Sequence, residues 1–297
     1  MNTGILYAAL AYAAWGLFPL YFRQLSGIDA FEIVLHRTVG SLVFVLLLLG
    51  VLHRWAWLPD TLRQRRAMAV FALSALLLSG NWLVYVWAVN NGHVVDSSLG
   101  YFITPLVNVL LGYMVLHERP RRMQWMAVGI AALGVLWLTA RSGEVPWIAL
   151  VLAGSFGVYG LLRKTAPLGS LEGLALETML LAPIAVPLLA VWTWQGRTAL
   201  VSADATTLGW LLLAGPLTAV PLLLFAAGAR RITLATLGLL QYIGPTLQFA
   251  LGVWLFREPF EASRLIGFVL IWIALAIYSA ESLWVSRRAI AAAAEPI

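Results

Sequence analysis

Cysteine is absent from all 297 residues, which excludes disulfide frameworks, thiolate zinc sites, iron–sulfur ligation and cysteine nucleophiles. Charge is almost as scarce, at 11% of residues against roughly 25% in an ordinary soluble domain. A water-soluble globule is thereby excluded. Lysine occurs once, and the formal charge of +6 comes from 18 arginines opposed by 13 acids. What fills the chain is apolar: 62% of residues are hydrophobic, grouped in runs of about 20, the length that crosses a hydrocarbon core of roughly 30 Å at about 1.5 Å per residue.

Ten such runs begin near Gly4, Ile33, Met68, Ser97, Met123, Pro146, Glu172, Thr207, Leu234 and Ser263. They are too long for buried strands, and no barrel-like alternation occurs, so the spans must be helices that satisfy their own backbone. The fold class is therefore an all-α polytopic membrane protein with ten transmembrane helices. The first run lacks a basic leader and a small-residue cleavage site, and is read as a retained helix. No stretch is left for a separate soluble domain.

Orientation follows from the basic residues. Arg54, Arg63, Arg65 and Arg66, then Arg119, Arg121 and Arg122, then Arg163 and Lys164, Arg230 and Arg231, and finally Arg287 and Arg288 fall in even-numbered loops or the tail. Arg23, Arg141, Arg197, Arg257 and Arg264 fall on the other side, and Arg37 lies within a span. Thirteen against five puts both termini in the cytoplasm by the positive-inside rule. The basic excess is thus membrane anchoring, and nucleic acid is not an expected partner.

The two halves repeat. Leu99, Ile103, Pro105, Leu111, Gly112 and Glu118 recur 140 residues later as Leu239, Ile243, Pro245, Leu251, Gly252 and Glu258. At an offset of 144, Ala9, Ala13 and Gly16 match Ala153, Gly157 and Gly160 less securely, and Trp15 falls opposite Tyr159. Five helices per repeat is an odd number, so the second copy is inverted in the membrane. The expected division is residues 1–142, residues 143–288 and a cytoplasmic tail at 289–297. Inverted repeats are a transporter architecture in which the substrate site lies near the midplane and is exposed alternately to each side.

The segment from Asn81 to Pro120, with its Asn-Trp and Ser-Leu-Gly-Tyr-Phe stretches, resembles the third and fourth helices of RarD-type members of the EamA family, in the drug/metabolite transporter superfamily. Trp15-Gly16, Pro19 and the His36-Arg37 pair also resemble that family, and the likeness spans essentially all ten helices. It implies an inner-membrane carrier with a central cavity formed mainly by the first, third, fourth, sixth, eighth and ninth helices. It implies amino acids and related metabolites as typical cargo and names no substrate.

Read for themselves, Ser97, Tyr101, Thr104 and Asn108 fall on one face of the fourth helix. Gln241 and Gln248 are the repeat mates of Tyr101 and Asn108, and Pro105 and Pro245 lie between the members of each pair as candidate hinges. Cavity lining is the favoured reading, with interhelical hydrogen bonding as the alternative. Asn81 and Tyr85 on the third helix, Trp15 and Tyr159 join them as candidate substrate contacts, since aromatic walls suit an organic solute with an apolar part. For Trp15, cavity and packing both remain open. Trp57 and Trp147 are read as interfacial, as are His53 and His117.

His36, Arg37 and Glu177 lie well inside spans, where ionisable groups cost about 2.5–3.5 kcal/mol on insertion scales and so face the protein interior or water. They are the candidates for gating or proton coupling, with Glu177 ahead of His36 as proton carrier and Arg37 holding a gate or an anionic group; structural pairing or snorkelling is the alternative. Aligned at an offset of 141, His36 and Arg37 fall opposite Glu177 and Thr178. Arg37 and Glu177 enter from opposite faces, so no direct bridge between them is predicted. Glu118 and Glu258 read as helix-end or loop-fixing groups, and His93 with Asp96 are too few for a metal site.

No cofactor is expected, and no GxxxxGK[ST] loop is present for ATP. The expected function is secondary active transport, outward and driven by protons, of a small organic metabolite or drug-like solute through the lipid bilayer. The sequence leaves the oligomeric state open. A membrane-embedded enzyme is the main rival, but neither HExxH nor paired intramembrane aspartates occur. A sensor or assembly partner is the other alternative.

Overall fold

The computed structural model describes residues 3–25, 27–90, 94–140, 147–255 and 262–294, and among them there are helices and connections but no strand. In chain order these are α1 (Thr3–Gly16), α2 (Phe18–Gln24), α3 (Ala30–Val51), α4 (Trp57–Arg63), α5 (Arg65–Asn90), α6 (Val94–Leu116), α7 (Arg122–Ala140), α8 (Trp147–Thr165), α9 (Ser170–Trp194), α10 (Ala199–Ser202), α11 (Ala205–Ala229), α12 (Leu234–Gln241), α13 (Ile243–Ala250), a π-helical turn (Leu251–Leu255) and α14 (Ala262–Ala294). Helices begin within three residues of each of the ten expected starts.

Among the described residues seven helical segments are long and apolar enough to cross a membrane, from Thr3–Gln24 to Ala205–Ala229, and Gly100–Leu116 and Leu265–Glu281 are shorter apolar helices. Leu47, Leu76, Ile184 and Leu212 are 63–74% exposed, an outward apolar surface that fits lipid. The run from Leu234 is not one helix, because Pro245, in the first turn of α13, has no N–H to donate and its ring would clash with the carbonyl of Gln241. The chain breaks at Tyr242 and resumes. Pro19 acts the same way at Leu17, separating α1 from α2. Pro105, by contrast, sits inside a continuous α6.

Helix ends are fixed locally. The Asp29 carboxylate accepts from Phe31 N at 2.9 Å to start α3, and Thr233 Oγ1 accepts from Thr236 N at 3.1 Å to start α12. Asp204 caps α11 by accepting from Thr207 N at 3.0 Å, and bonds from Thr207 hold its carboxyl below the usual range. His53 and His117 have φ of 52° and 55°, the left-handed turn that ends α3 and α6, a conformation uncommon outside glycine.

The halves interlock through small residues. Gly40 of α3 faces Gly215 of α11 so closely that a Cβ on Gly40 would stand 2.9 Å from the Gly215 Cα, and the Ser41 hydroxyl donates to the Gly215 carbonyl at 3.2 Å. The stripe Ala149, Ala153 and Gly157 on α8 is buried, where it lets α6 approach; a Cβ on Gly157 would meet Val107 at 2.6 Å.

Candidate functional site

The polar stripe of α6 meets α12. Asn108, 1% exposed, donates through Nδ2 to Gln241 Oε1 at 3.3 Å, while its own Oδ1 is buried without a hydrogen-bond partner. The helices cross tightly here: a Cβ on Gly238 would lie 2.7 Å from the Pro105 carbonyl. Thr104 turns its hydroxyl back to the Gly100 carbonyl at 2.8 Å, a bond within its own helix. Tyr101 meets Tyr85 of α5 edge to face, with ring centroids 5.9 Å apart. Gln248 donates to the Trp15 carbonyl at 3.3 Å, joining α13 to α1. The side chains of Ser97 and Asp96, and residues His93 and Glu258, lie outside the described residues.

Asn81 donates to the Leu152 carbonyl at 3.0 Å and to Ser155 Oγ at 2.9 Å, so it ties α5 to α8. Trp15 and Tyr159 belong to one aromatic cluster with Tyr12, Phe156 and Phe225. Trp15 lies 5.6 Å from Phe225, and Tyr159 stacks on Phe225 at 5.8 Å and 13°. Tyr159 is fully buried, and its hydroxyl, like that of Tyr12, has no hydrogen-bond partner.

Two buried charges sit at matching places. Arg37 and Glu177 each stand seven residues after the first residue of their helices, Ala30 and Ser170, so counting from the helix starts pairs Arg37 with Glu177 at 140, where the sequence alignment at 141 had paired His36. Each bonds to a hydroxyl contributed by the other half: Arg37 Nε donates to Thr218 Oγ1 of α11 at 2.9 Å, and the Ser74 hydroxyl of α5 donates to the Glu177 carboxylate. Arg37 and Glu177 form no ion pair with one another. Glu177, 1% exposed, instead faces Arg163 Nη1 at 3.6 Å, and its Oε2 has no hydrogen-bond partner. Arg163 is 2% exposed, lies over the Phe71 ring, and donates to the Ser170 carbonyl at 2.9 Å.

Arg163 corrects the loop assignment. It lies in the last turn of α8, where its stem is buried and its head finds a carboxylate. Its neighbour Lys164, also in α8, is half-buried, lies 3.8 Å from Glu118 and donates to the Ala229 carbonyl at 3.2 Å. Extending the sixth span by one turn would have placed both residues on it. His36 lies 3.4 Å from Glu32, and Glu32 also accepts from Ala199 N at 2.7 Å. The i, i+4 spacing of Glu32 and His36 was the available signal for that pair. Glu118 accepts from Leu234 N and Ala235 N at 3.0 and 3.3 Å, capping α12 from a distant loop. A separate cleft of about 400 Å³ opens beside it, lined in part by Arg119, Arg121, Arg231 and Tyr278, and contains none of the candidate substrate contacts.

Residues 2–140 match the EamA-like transporter family. An uncharacterised transporter of Pseudomonas aeruginosa is 45% identical over 289 residues, covering 97% of this chain and 96% of that protein. Protein RarD of Streptomyces exfoliatus is 46% identical over 290 residues, covering 97% and 91%. The chain belongs to the EamA-like transporter family, among its RarD-type members. It is therefore a multi-pass membrane protein of transporter type, within the drug/metabolite transporter superfamily. A solved crystal structure with 19% identity superposes at a TM-score of 0.70 over 96% of this chain and 99% of that one, a likeness of fold.

Proposed function

We propose that this chain is a secondary carrier that moves a small organic metabolite or drug-like solute out across the cytoplasmic membrane by alternating access. Its ten spans form two inverted five-helix repeats, residues 1–142 and 143–288, with both termini and the 289–297 tail in the cytoplasm. Cargo contacts come from Trp15, Asn81, Tyr85, Tyr101, Asn108, Tyr159, Gln241 and Gln248, with flexing near Pro105 and Pro245. Glu177 carries the coupled proton, His36 being the less favoured carrier, and Arg37 holds a gate or an anionic group.

The observation that carries this is the Asn108–Gln241 hydrogen bond. It places two amides at the crossing of α6 and the broken α12–α13 segment, with an acceptor left over on Asn108. A buried polar group lacking a partner costs free energy that a bound solute or water can recover. Discontinuous helices are where many transporters bind cargo, and here α12–α13 is interrupted at Tyr242 while its partner α6 runs on through Pro105.

A thermal-shift screen of the purified protein against amino acids, nucleosides, amines and amphenicols is the test. A ligand at a hundredfold excess over its Kd stabilises the folded state by about 2.7 kcal/mol. A hit abolished by Tyr101→Ala and by Gln241→Ala, and exchanged by the wild type in proteoliposome counterflow, supports the carrier. Ligands that bind but show no counterflow speak for a sensor.

A further inference from the structure

We propose that Arg37 is the seat of a carboxylate, so that the cargo is an organic monoanion with an apolar or aromatic body. The inference rests on the carrier role and adds the chemical class of its substrate.

Arg37 lies roughly 10 Å along α3 from its first residue and is 8% exposed. Its guanidinium is enclosed by rings, with Trp82 at 4.6 Å, Phe18 at 5.4 Å and Phe22 at 5.7 Å from the guanidinium carbon. Tyr21, Tyr85 and Tyr101 are within electrostatic reach. None of these neighbours is an acid, and among the described residues no carboxylate stands within ion-pair distance. The nearest acid in sequence, Glu32, is taken by His36 and by Ala199 N.

The hydrogen bonding is lopsided. A guanidinium has five N–H donors; Arg37 uses Nε on Thr218, and its two terminal nitrogens bond to no group among the described residues. Nor are they among the sealed, unpartnered nitrogens, which do include Nε and Nη1 of Arg163. The two buried arginines therefore differ in kind. Arg163 has an internal counter-ion in Glu177, whereas Arg37 presents the free end of its fork toward space that solvent reaches.

That free end is the geometry a carboxylate fits, through two parallel charge-assisted hydrogen bonds. The bond from Nε to Thr218 fixes the plane of the fork, and the Phe and Trp faces offer an apolar wall for the rest of the molecule. One uncompensated positive charge matches a monoanion better than a dianion and repels a cation. Among the described residues no acid stands beside Arg37 to take an α-ammonium, so a simple carboxylate suits the site better than a zwitterion.

The test compares three probes of similar body on the purified full chain: phenylacetate, phenylacetamide and phenethylamine. By calorimetry at neutral pH, phenylacetate should bind at least about tenfold more tightly than the amide, with the amine weakest. Arg37→Gln should erase the preference for acid over amide, and Arg37→Lys should keep part of it, since lysine has the charge without the fork. Because the acid and amide comparison is made on the wild type, it stands even if Arg37→Gln does not fold. Equal binding of acid and amide, or an acid preference that survives in folded Arg37→Gln, overturns the proposal. Counterflow separates the two levels: amide or amine exchange that depends on Gln241 and ignores Arg37 sinks the carboxylate seat and leaves the carrier intact, whereas Arg37-dependent binding of phenylacetate without exchange sinks the carrier role and leaves the seat.

Discussion

Tyr242 donates its hydroxyl to the backbone carbonyl of Phe102 at 3.2 Å, and the two rings stack with centroids 6.4 Å apart. These residues are 140 positions apart, the spacing of the sequence repeat. If the halves are repeats related by an axis, residues this far apart touch only where that axis passes nearby, so the contact is what two proposed repeats meeting at the α6–α12 seam would give. The Asn108–Gln241 bond lies in the same seam. The reciprocal placing of Arg37 on Thr218 and Glu177 on Ser74 fits the same proposed relation, with a base at one position and an acid at the other.

The Glu177–Arg163 pair should behave as a unit. Removing one member of a buried ion pair strands the other and typically costs about 3–5 kcal/mol, whereas replacing both by apolar groups of similar size is often neutral. Arg163→Ala should therefore lower the midpoint of thermal unfolding in detergent far more than the double variant Arg163→Met with Glu177→Met. Equal losses in both would show that the pair does not act together. Glu177→Gln, which preserves shape, should abolish the dependence of proteoliposome transport on an imposed pH gradient, and unchanged gradient dependence would remove Glu177 from coupling.

Helix positions were legible in the sequence because a membrane demands length and apolarity, which composition displays directly. Ten starts were located within three residues. The breaks were less legible, because proline's effect depends on where in the helix it stands: Pro105 stays within α6, whereas Pro245 opens α13 after an interruption at Tyr242. Among site residues, Arg37 and Glu177 declared themselves as charge inside apolar runs. Their partners did not, since Ser74 and Thr218 are weakly polar residues that helices tolerate anywhere, and Arg163 passed as a loop cation at the end of its span. Asn81 and Tyr159 were legible as polar or aromatic, but which helix each would meet was not.

The contact between Gly40 and Gly215 sets how closely α3 and α11 pack. A methyl group on Gly40 would stand 2.9 Å from the Gly215 Cα, with backbone on both sides and no flexible side chain to give way. Gly40→Ala should destabilise the protein by about 1–3 kcal/mol, the usual cost of overpacking. Ser41→Ala, which removes only the hydroxyl bond to Gly215, should cost about 0.6 kcal/mol, near the membrane average. Thermal unfolding of the two variants side by side gives the order, and a smaller loss for Gly40→Ala would mean that the helices separate freely there.

Glu118 caps α12 from across the fold, accepting from Leu234 N and Ala235 N at the positive end of the helix dipole. Glu118→Ala should cost about 1 kcal/mol, the typical worth of a cap, and should act locally. Hydrogen exchange at Leu234 and Ala235 is expected to accelerate while α7 stays protected, and Glu118→Gln should fall between, because its amide retains one oxygen. Uniform acceleration across the chain would show that Glu118 supports the whole fold and not the start of one helix.

Because the chain contains no cysteine, single cysteines can report which side of the membrane each loop faces without background labelling. Gln64 is exposed in the connection between α4 and α5, and Ser202 is exposed at the end of the short α10, the first in an arginine-rich stretch and the second in an arginine-poor one. By the positive-inside rule, the bias of thirteen basic residues against five predicts that the arginine-rich side faces the cytoplasm. In intact bacterial cells whose outer membrane admits the reagent, a membrane-impermeant maleimide should label Ser202→Cys directly and Gln64→Cys only after the inner membrane is opened. The reverse pattern would invert the chain and with it the outward direction of transport, since Glu177 would then enter from the outer face and Arg37 from the inner. Labelling of both before permeabilisation would place the two loops on one side, which an odd number of crossings between them forbids, and the ten-span arrangement would fall.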